Sequence, residues 1–289
     1  MKRSCELAPA ERLADGTFSP FVPTRCGLRG RDIGWIRDSL YPAMHTIECG
    51  VLETNEDMAT WILKDTEDNV FVSRYRGRQV DLQRFWFSQG GNTIQSGLLP
   101  MVMIYLKRGQ PEHAIRALFN GFAQNIFRDV RCFIEHPVAA FGLGAGPFYK
   151  TPDENCWVNW LRNMLLMEIR NPKSEMRNEI GEDTLTIAPG VPRKWFAEGF
   201  SAEGMATYFG PVSYSVSSDG DAITAVIEPP RRNPPALLEV TFRHPDRKPI
   251  RSVKVNGRPH DDFDPAREIV RFTNPAELAD RVEIVASYQ

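Results

Sequence analysis

A segment over residues 144–170 gathers side chains that could bind and transform a polar ligand. Its sequence, GAGPFYKTPDENCWVNWLRNMLLMEIR, begins with closely spaced glycines and continues as an apolar helical pattern. Tyr149, Lys150 and Glu154 combine an aromatic ring, an ammonium group and a carboxylate, a mixture typical of a polar ligand site. Asp153 is interpreted either as the N-cap of the helix or as an acid of the site. In the first case, Glu154 points away from the helix into the loop.

Carboxylate groups that could serve the same chemistry lie at two other places in the sequence. Glu135 and His136 lie in CFIEHP, where an apolar setting would raise the pKa of the carboxyl as a general acid requires. A carboxylate–imidazole pair in a loop is an equally good interpretation. Asp65, Glu67 and Asp68 follow a predicted helix, and Asp65 and Asp68 share one face if that helix continues. For these three acids, caps and surface pairs are the favoured interpretation.

A helical pattern near the N-terminus carries two more polar pairs. Arg37 and Asp38 lie in GWIRDSLYPAMH, where a salt bridge between helices is favoured over contacts to ligand hydroxyl groups. His45 and Glu48 lie three residues apart, but H-x-x-E lacks the second histidine of a zinc protease motif. Trp86, in the aromatic run FWF, predicts either a stacking wall of a ligand site or core packing beneath a turn.

Composition narrows the class of protein. The 289 residues are 42% hydrophobic and 25% charged, with a net charge of −2, so the chain can bury a large core. The dispersed basic residues give no electrostatic reason to bind nucleic acid or an anionic membrane. No apolar run approaches the roughly 20 residues of a membrane span, and the N-terminus lacks the apolar region of a signal peptide. The expectation is a soluble, cytoplasmic protein.

Cysteine spacing and glycine motifs indicate no cofactor and no metal. The five cysteines are widely spaced and contain no C-x-x-C pair, which argues against a disulfide framework or a zinc site. GLGAGPF has closely spaced glycines but no predicted strand before it, so it is too weak to imply phosphate binding. No P-loop, dinucleotide fingerprint or nucleophile elbow is present.

Helical periodicity dominates the chain up to about residue 180. After an extended N-terminal segment, apolar residues recur at helical spacing. The helices are predicted over residues 31–50, 55–65, 93–107, 111–128 and 153–169. Pro111 at the start of one helix and Gly109 after another predict a helical hairpin.

Short β-branched runs separated by turn residues follow Gly181. They predict an antiparallel β-sandwich, with hairpins at Asp219–Gly220 and Asn256–Gly257. A short helix including Lys194 and Trp195 is expected to pack back against the helical part. The chain is therefore predicted to be α+β, with a helical domain over residues 1–180 and a β-sandwich over residues 181–289.

The order of these parts resembles the C-terminal portion of the six-hairpin glycosidases. The segments that carry the resemblance are RGRDIGWIRDSLYPAMHTIECG, TWILKDTEDN, FWFSQGGNTIQSGLLP, GAGPFYKTPDE and LTIAPGVPRKWF. The resemblance runs from about Cys26 to the end of the chain and is greatest to a poorly characterised bacterial branch. It implies a partial (α/α)6 toroid followed by a β-sandwich, and a glycoside hydrolase with an oligosaccharide or polysaccharide substrate.

A complete toroid of this kind has twelve helices, whereas the sequence shows about five long helical patterns. The chain is therefore expected to be a fragment or one part of a split protein. Its partner would be the missing half of the toroid or another copy of the chain. The inner apolar faces of helices such as that over residues 93–107 are then expected to be exposed.

The resemblance implies an inverting mechanism with two carboxyl groups on one rim. Glu154 and Glu135 are the catalytic candidates, with Asp68 in reserve. The residues expected to bind substrate are Arg37, Asp38, His45, Glu67, Trp86, His136, Tyr149 and Lys150. The alternative is a non-catalytic protein that binds glycans, or a structural remnant of such an enzyme.

Overall fold

The computed structural model describes residues 10–12, 18–20, 44–70, 100–127, 131–138, 143–148, 151–169 and 183–288. The chain forms two compact units, Met1–Leu161 and Arg162–Gln289. Helices make up most of the described part of the first unit, and mainly antiparallel sheets make up the second. This mixture of helices and antiparallel sheets agrees with the predicted α+β class.

The helices of the described residues are α1 (Asp57–Val70), α2 (Met101–Lys107), α3 (Pro111–Asn125), α4 (Thr151–Leu165) and α5 (Arg193–Glu198). Residues 44–48 are also helical. A 3₁₀ turn occupies Pro275–Glu277. Among the residues that the structure describes, no helix has the length and apolar character needed to cross a membrane.

Helices α2 and α3 pack together as the predicted hairpin. Gly109 adopts a φ of +66°, which suits glycine because it has no Cβ, and Pro111 opens α3. The apolar residues of α2, Met101, Val102, Ile104, Tyr105 and Leu106, are buried. The expectation that this helix exposes its apolar face is therefore wrong. Exposed apolar side chains lie instead on α3, at Phe119 and Phe122, and on α4, at Val158 and Leu161.

The boundaries of helices α1 and α4 differ from the sequence predictions. Helix α1 continues to Val70, so Glu67 and Asp68 lie inside it rather than in a following loop. Helix α4 begins at Thr151, which places Asp153 at the third helical position instead of the N-cap. The chain leaves α4 after Leu165 and forms a strand at Leu166–Ile169, where the helix was expected to continue.

Residues 126–127, 132–138 and 143–148 form a sheet, although residues 126–127 are predicted as the end of a helix and Glu135 as a loop residue. Strands β3 (Ile126–Phe127), β4 (Cys132–Val138) and β5 (Leu143–Phe148) pair in that order, all antiparallel. The GLGAGPF segment is therefore largely a strand, and Glu135 and His136 lie on its partner β4. A separate pair, β1 (Ala10–Arg12) with β2 (Phe18–Pro20), is also antiparallel.

The second unit is a β-sandwich of two sheets. Its strands are β6 (Leu166–Ile169), β7 (Thr184–Ile187), β8 (Phe200–Met205), β9 (Val212–Ser218), β10 (Ala222–Glu228), β11 (Leu237–Thr241), β12 (Ser252–Val255), β13 (Arg258–His260), β14 (Phe263–Asp264), β15 (Ile269–Phe272) and β16 (Val282–Ser287). The six-stranded sheet has the order β13-β12-β16-β10-β9-β8, and the five-stranded sheet has the order β14-β15-β11-β7-β6.

Pairing in the sandwich is antiparallel except between β7 and β11, which run parallel. The buried residues alternate along the strands, as in Val212–Ser218, because successive side chains point to opposite faces. Leu166 of β6 and Phe196 of α5 are fully buried in the same core as the strands. Strand β6 thus belongs to the sheet although it precedes the boundary predicted near residue 180, and α5 packs on β9.

Both predicted hairpin turns are present. Asn256 and Gly257 have φ values of +49° and +77° and join β12 to β13 through a two-residue loop, the signature of a type I′ turn. Asp219 accepts hydrogen bonds at one carboxylate oxygen from the backbone N–H groups of Asp221 and Ala222, at 3.0 and 2.8 Å. These bonds lower the pKa of Asp219, the bond from Ala222 most strongly.

Candidate functional site

An aromatic cluster joins α3, β4 and α4 in the first unit. The rings of Phe133 and Trp157 are stacked with centroids 5.4 Å apart and planes within 4° of parallel. Phe122 meets both rings edge-on, at 5.7 and 5.8 Å, and Trp160 packs edge-on against Trp157 at 5.0 Å. The cluster therefore fixes a strand and two helices against one another.

Two of the predicted catalytic residues lie on elements that this cluster joins. Glu154 is half-buried and precedes Trp157 by three residues on α4, so the two side chains share a helix face. Glu135 follows Phe133 by two residues on β4, at the register shift between Ile134 and His136 in the β4–β5 pairing. A register shift of this kind marks a β-bulge or irregularity in the pairing. Bulges change the direction of side chains and are frequent beside active sites. The backbone of Glu135 is described, but its carboxyl group lies outside the described side chains.

One polar atom inside the cluster lacks a protein partner. The indole nitrogen of Trp157 is buried and has no hydrogen-bond acceptor within the part of the chain that the structure describes. A buried N–H group without an acceptor costs about 1–3 kcal/mol, which a ligand oxygen or water bound there would recover. Sequence analysis did not select Phe122, Phe133 or Trp157 as site residues. A sequence signal for Trp157 as a site residue is its position one helical turn after Glu154.

The acids of α1 lie on one helix. Asp65 and Asp68 are three residues apart in Asp57–Val70 and therefore share a face, as expected if the helix continued. Glu67 lies one residue before Asp68, in a different direction around the axis. Their backbone positions are described, and their side chains lie outside the described set.

His45 and Glu48 form a pair at the helical turn of residues 44–48. The Nδ1 atom of His45 lies 2.6 Å from a carboxylate oxygen of Glu48, and both side chains are exposed. Cys49 follows them and is also exposed. Within the described ranges, no three His, Cys, Asp or Glu side chains converge closely enough to hold a metal ion.

Several predicted site residues lie outside the described residues. These are Arg37, Asp38, Trp86, Tyr149 and Lys150. The backbone of His136 is described, but its side chain is not. The structure therefore brings together strand β4 and helix α4, which carry Glu135 and Glu154. That the other candidates lie near these two glutamates stays a prediction.

The motif LTIAPGVPRKWF has a structural role in the second unit. Leu185, Ile187 and Phe196 are core residues, and Arg193 forms a bidentate ion pair with Glu268 at 2.7 Å for both nitrogen–oxygen contacts. The buried Arg243 adds a second guanidinium 3.7 Å from the same carboxylate. This ion-pair group, Arg193, Arg243 and Glu268, joins α5 to the loop before β15.

Comparison with known proteins gives structural similarity only. No protein-family model matches the chain, and no curated protein matches it. The chain is similar to the crystal structure of a GH127 β-L-arabinofuranosidase from Geobacillus stearothermophilus T6, with a TM-score of 0.33 and 11% identity. The similarity covers 86% of this chain and 40% of the arabinofuranosidase.

A second similar structure is described as a glycoside hydrolase, with a TM-score of 0.38 and 12% identity. The similarity covers 88% of this chain and 47% of that one. The chain thus spans less than half the length of either similar structure. Both TM-scores are below 0.5.

Proposed function

We propose that the first unit contributes a carbohydrate site to a glycoside hydrolase of the six-hairpin type, with Glu135 and Glu154 as its two carboxyl groups. The observation that carries the proposal is the parallel stack of Phe133 on Trp157. It holds together the strand and the helix on which the two glutamates lie, each within three residues of a stacked ring. Glycoside hydrolysis requires two carboxyl groups that flank the scissile bond.

The aromatic cluster also supplies the surroundings that the chemistry needs. Aromatic rings pack against the apolar faces of sugars, for which Phe122 is exposed, and the buried indole N–H of Trp157 can donate to a bridging water. The same cluster would therefore bind the sugar.

The proposed reaction inverts the anomeric centre. One carboxylic acid donates its proton to the glycosidic oxygen as the bond from the anomeric carbon to that oxygen breaks. The other carboxylate takes a proton from water, whose oxygen bonds to the anomeric carbon from the opposite face. This geometry requires carboxyl groups about 6.5–9.5 Å apart, enough to admit the water.

The remaining candidates extend the proposal along the rim. Asp68, on α1, is the reserve carboxylate. The residues proposed to bind substrate hydroxyl groups or stack on sugar rings are Arg37, Asp38, His45, Glu67, Trp86, His136, Tyr149 and Lys150. No metal or organic cofactor takes part in the proposed reaction.

We further propose that the helical unit is part of an incomplete (α/α)6 toroid. The support is the packed pair of helices α2 and α3, together with apolar side chains on α3 and α4 that face solvent. Phe119, Phe122, Val158 and Leu161 are 51, 41, 68 and 42% exposed. The missing N-terminal half of the toroid, or a second copy of the chain, would cover such side chains.

The test is turnover on a panel of oligosaccharides and polysaccharides, measured with the full chain alone and with any protein encoded beside it. Glu154→Gln and Glu135→Gln keep the side-chain shape and remove the ionisable group, so each should lower kcat by a factor on the order of 10² or more. Glu203→Gln, at an exposed position of β8 in the second unit, is the matched control and should leave kcat unchanged.

Undiminished turnover in Glu154→Gln or Glu135→Gln would refute the catalytic assignment of that residue. If glycans bind but no member of the panel is cleaved in either assembly, the hydrolase proposal is wrong and the non-catalytic glycan-binding alternative is supported. A chain that neither binds nor cleaves any glycan overturns both.

A further inference from the structure

A second surface of the molecule has the properties of a ligand site, and it lies in the β-sandwich. Tyr208 follows β8 and is 48% exposed, in a turn whose neighbour Phe209 is only 1% exposed. The two rings meet edge-on, with centroids 5.6 Å apart. Phe209 thus anchors the turn in the core while the ring of Tyr208 keeps a solvent-facing surface.

The backbone of this turn is held from both sides. The N–H of Tyr208 donates to Glu168 at 2.9 Å, and the side-chain amide of Asn233 donates to the Tyr208 carbonyl at 3.4 Å. The N–H of Asn233 also donates to the Phe209 carbonyl at 3.0 Å. Strand β6 and the loop over residues 229–236 therefore fix an exposed aromatic residue in place, which reduces the entropy lost when it binds a ligand.

The turn also fits closely against that loop. Gly210 has a φ of +117°, and a Cβ at this position would approach the Arg232 side chain to 3.2 Å. Glycine is therefore required both by the backbone conformation and by the close approach. Arg232 is exposed, and its backbone N and Cβ lie against Gly210, two residues after Tyr208.

Charge pairing distinguishes Arg232 from the other arginines nearby. Arg231 pairs with Asp280 at 3.1 Å, and Arg162 pairs with Glu168. Within residues 183–288 the guanidinium of Arg232 has no hydrogen bond or ion pair. Arg232 therefore carries an exposed positive charge without an ion-pair partner, on a residue whose backbone borders the turn of Tyr208.

These features indicate the chemistry of the ligand. A nucleic acid would need several unpaired cations to neutralise its phosphates, and this surface has one. A sugar that carries a carboxylate offers an apolar ring face for a tyrosine and a single negative charge for an arginine. We propose that Tyr208 and Arg232 form an accessory site for a carboxylated sugar of a polysaccharide. The site is separate from the residues of the proposed hydrolase.

The proposal is tested by calorimetric titration of the full chain at low salt with an oligogalacturonate and with its neutral methyl ester. Tyr208→Ala should weaken binding of the oligogalacturonate about tenfold, because the stacking surface is lost. Tyr208→Phe retains the ring and should stay within about twofold. Arg232→Ala should weaken oligogalacturonate binding about fivefold and leave the weaker binding of the ester unchanged.

Arg258→Ala is the matched control. It removes the same charge from β13, at the opposite edge of the six-stranded sheet from β8, and should have no effect. The thermal unfolding of each variant shows that it is folded. Absence of oligogalacturonate binding by the unaltered chain, or equal losses in Arg258→Ala and Arg232→Ala, would overturn the proposal. Oligogalacturonate affinity that is unchanged in Tyr208→Ala would also overturn it, because charge alone would then account for the interaction.

Discussion

The two units use their apolar residues differently. In the β-sandwich, alternate residues of both sheets share one core, and Phe196 and Leu166 are fully buried within it. In the helical unit, the hairpin of α2 and α3 buries α2 while Phe119, Val158 and other apolar residues remain exposed. The sandwich therefore contains the partners that its strands need, whereas the described helices present surfaces that need further partners.

The largest effect is expected from moving the start of the second unit. A fragment of residues 162–289 retains β6, whereas a fragment of residues 181–289 loses Leu166 from the core and the bond from the Tyr214 hydroxyl to the Leu165 carbonyl. The shorter fragment should be less stable by on the order of 5 kcal/mol in urea unfolding. Equal midpoints for the two fragments would show that the sandwich folds without β6.

Truncating one core ring tests the comparison directly. Phe196→Ala leaves a cavity where a side chain with 0% exposure stood, so the free energy of unfolding should fall by about 3–5 kcal/mol. Phe119→Ala removes the same side chain from a position that is 51% exposed, and its cost should be below about 1 kcal/mol. A large loss in Phe119→Ala would mean that the exposed helical face is already covered in solution.

The ion-pair group should be the next most sensitive feature. Arg193→Ala leaves Glu268, which is 15% exposed, with Arg243 as its remaining cation, and should cost about 3 kcal/mol in thermal or urea unfolding. Lys194→Ala breaks the exposed pair with Glu198 and should cost less than about 0.5 kcal/mol. Similar losses of stability in both variants would show that the buried ion pair contributes no more to stability than the exposed one.

A smaller effect is expected at the turn between β12 and β13. Gly257 has a φ of +77°, and no atom lies within 4 Å of the place that a Cβ would occupy, so Gly257→Ala acts only through backbone strain. The variant should lose about 1 kcal/mol in urea unfolding, and Lys254→Ala at an exposed position of β12 should lose less. An unchanged midpoint would show that the turn tolerates a left-handed alanine.

The smallest effect concerns acid. Backbone hydrogen bonds, chiefly from Ala222, lower the pKa of Asp219 in the folded state. Its contribution to stability is therefore present above the unfolded pKa of about 3.9 and is lost as the pH falls through the folded pKa. Asp219→Asn should flatten this part of the stability curve in urea unfolding at pH 2–5. If the variant shows the same dependence of stability on pH, Asp219 does not contribute to the loss of stability in acid.

Local chemistry explains which parts of the fold could be predicted. Asn256–Gly257 and Asp219–Gly220 specify their turns through their own backbone preferences, and Pro111 marks the start of α3 in the same way. Strand β6 could not be predicted, because its apolar residues continue the period of α4. Its strand conformation depends on pairing with β7, which lies fifteen or more residues further along the chain.

The site illustrates the same limit. Glu135 is interpreted as a loop residue in the sequence analysis, yet pairing between β4 and β5 makes its segment a strand. The carboxylate candidates could be selected by residue type alone. The stack of Phe133 on Trp157 could not, because it joins residues 24 positions apart whose meeting depends on tertiary packing.

The position of β16 has a consequence for synthesis of the protein. This strand is the last in sequence, yet it lies between β12 and β10 inside the six-stranded sheet. Until it leaves the ribosome, β10 and β12 lack their shared neighbour and expose unpaired backbone edges. The sheet can therefore close only after β16 has been translated, and its long-range pairings favour slow folding during which chaperones can bind those edges.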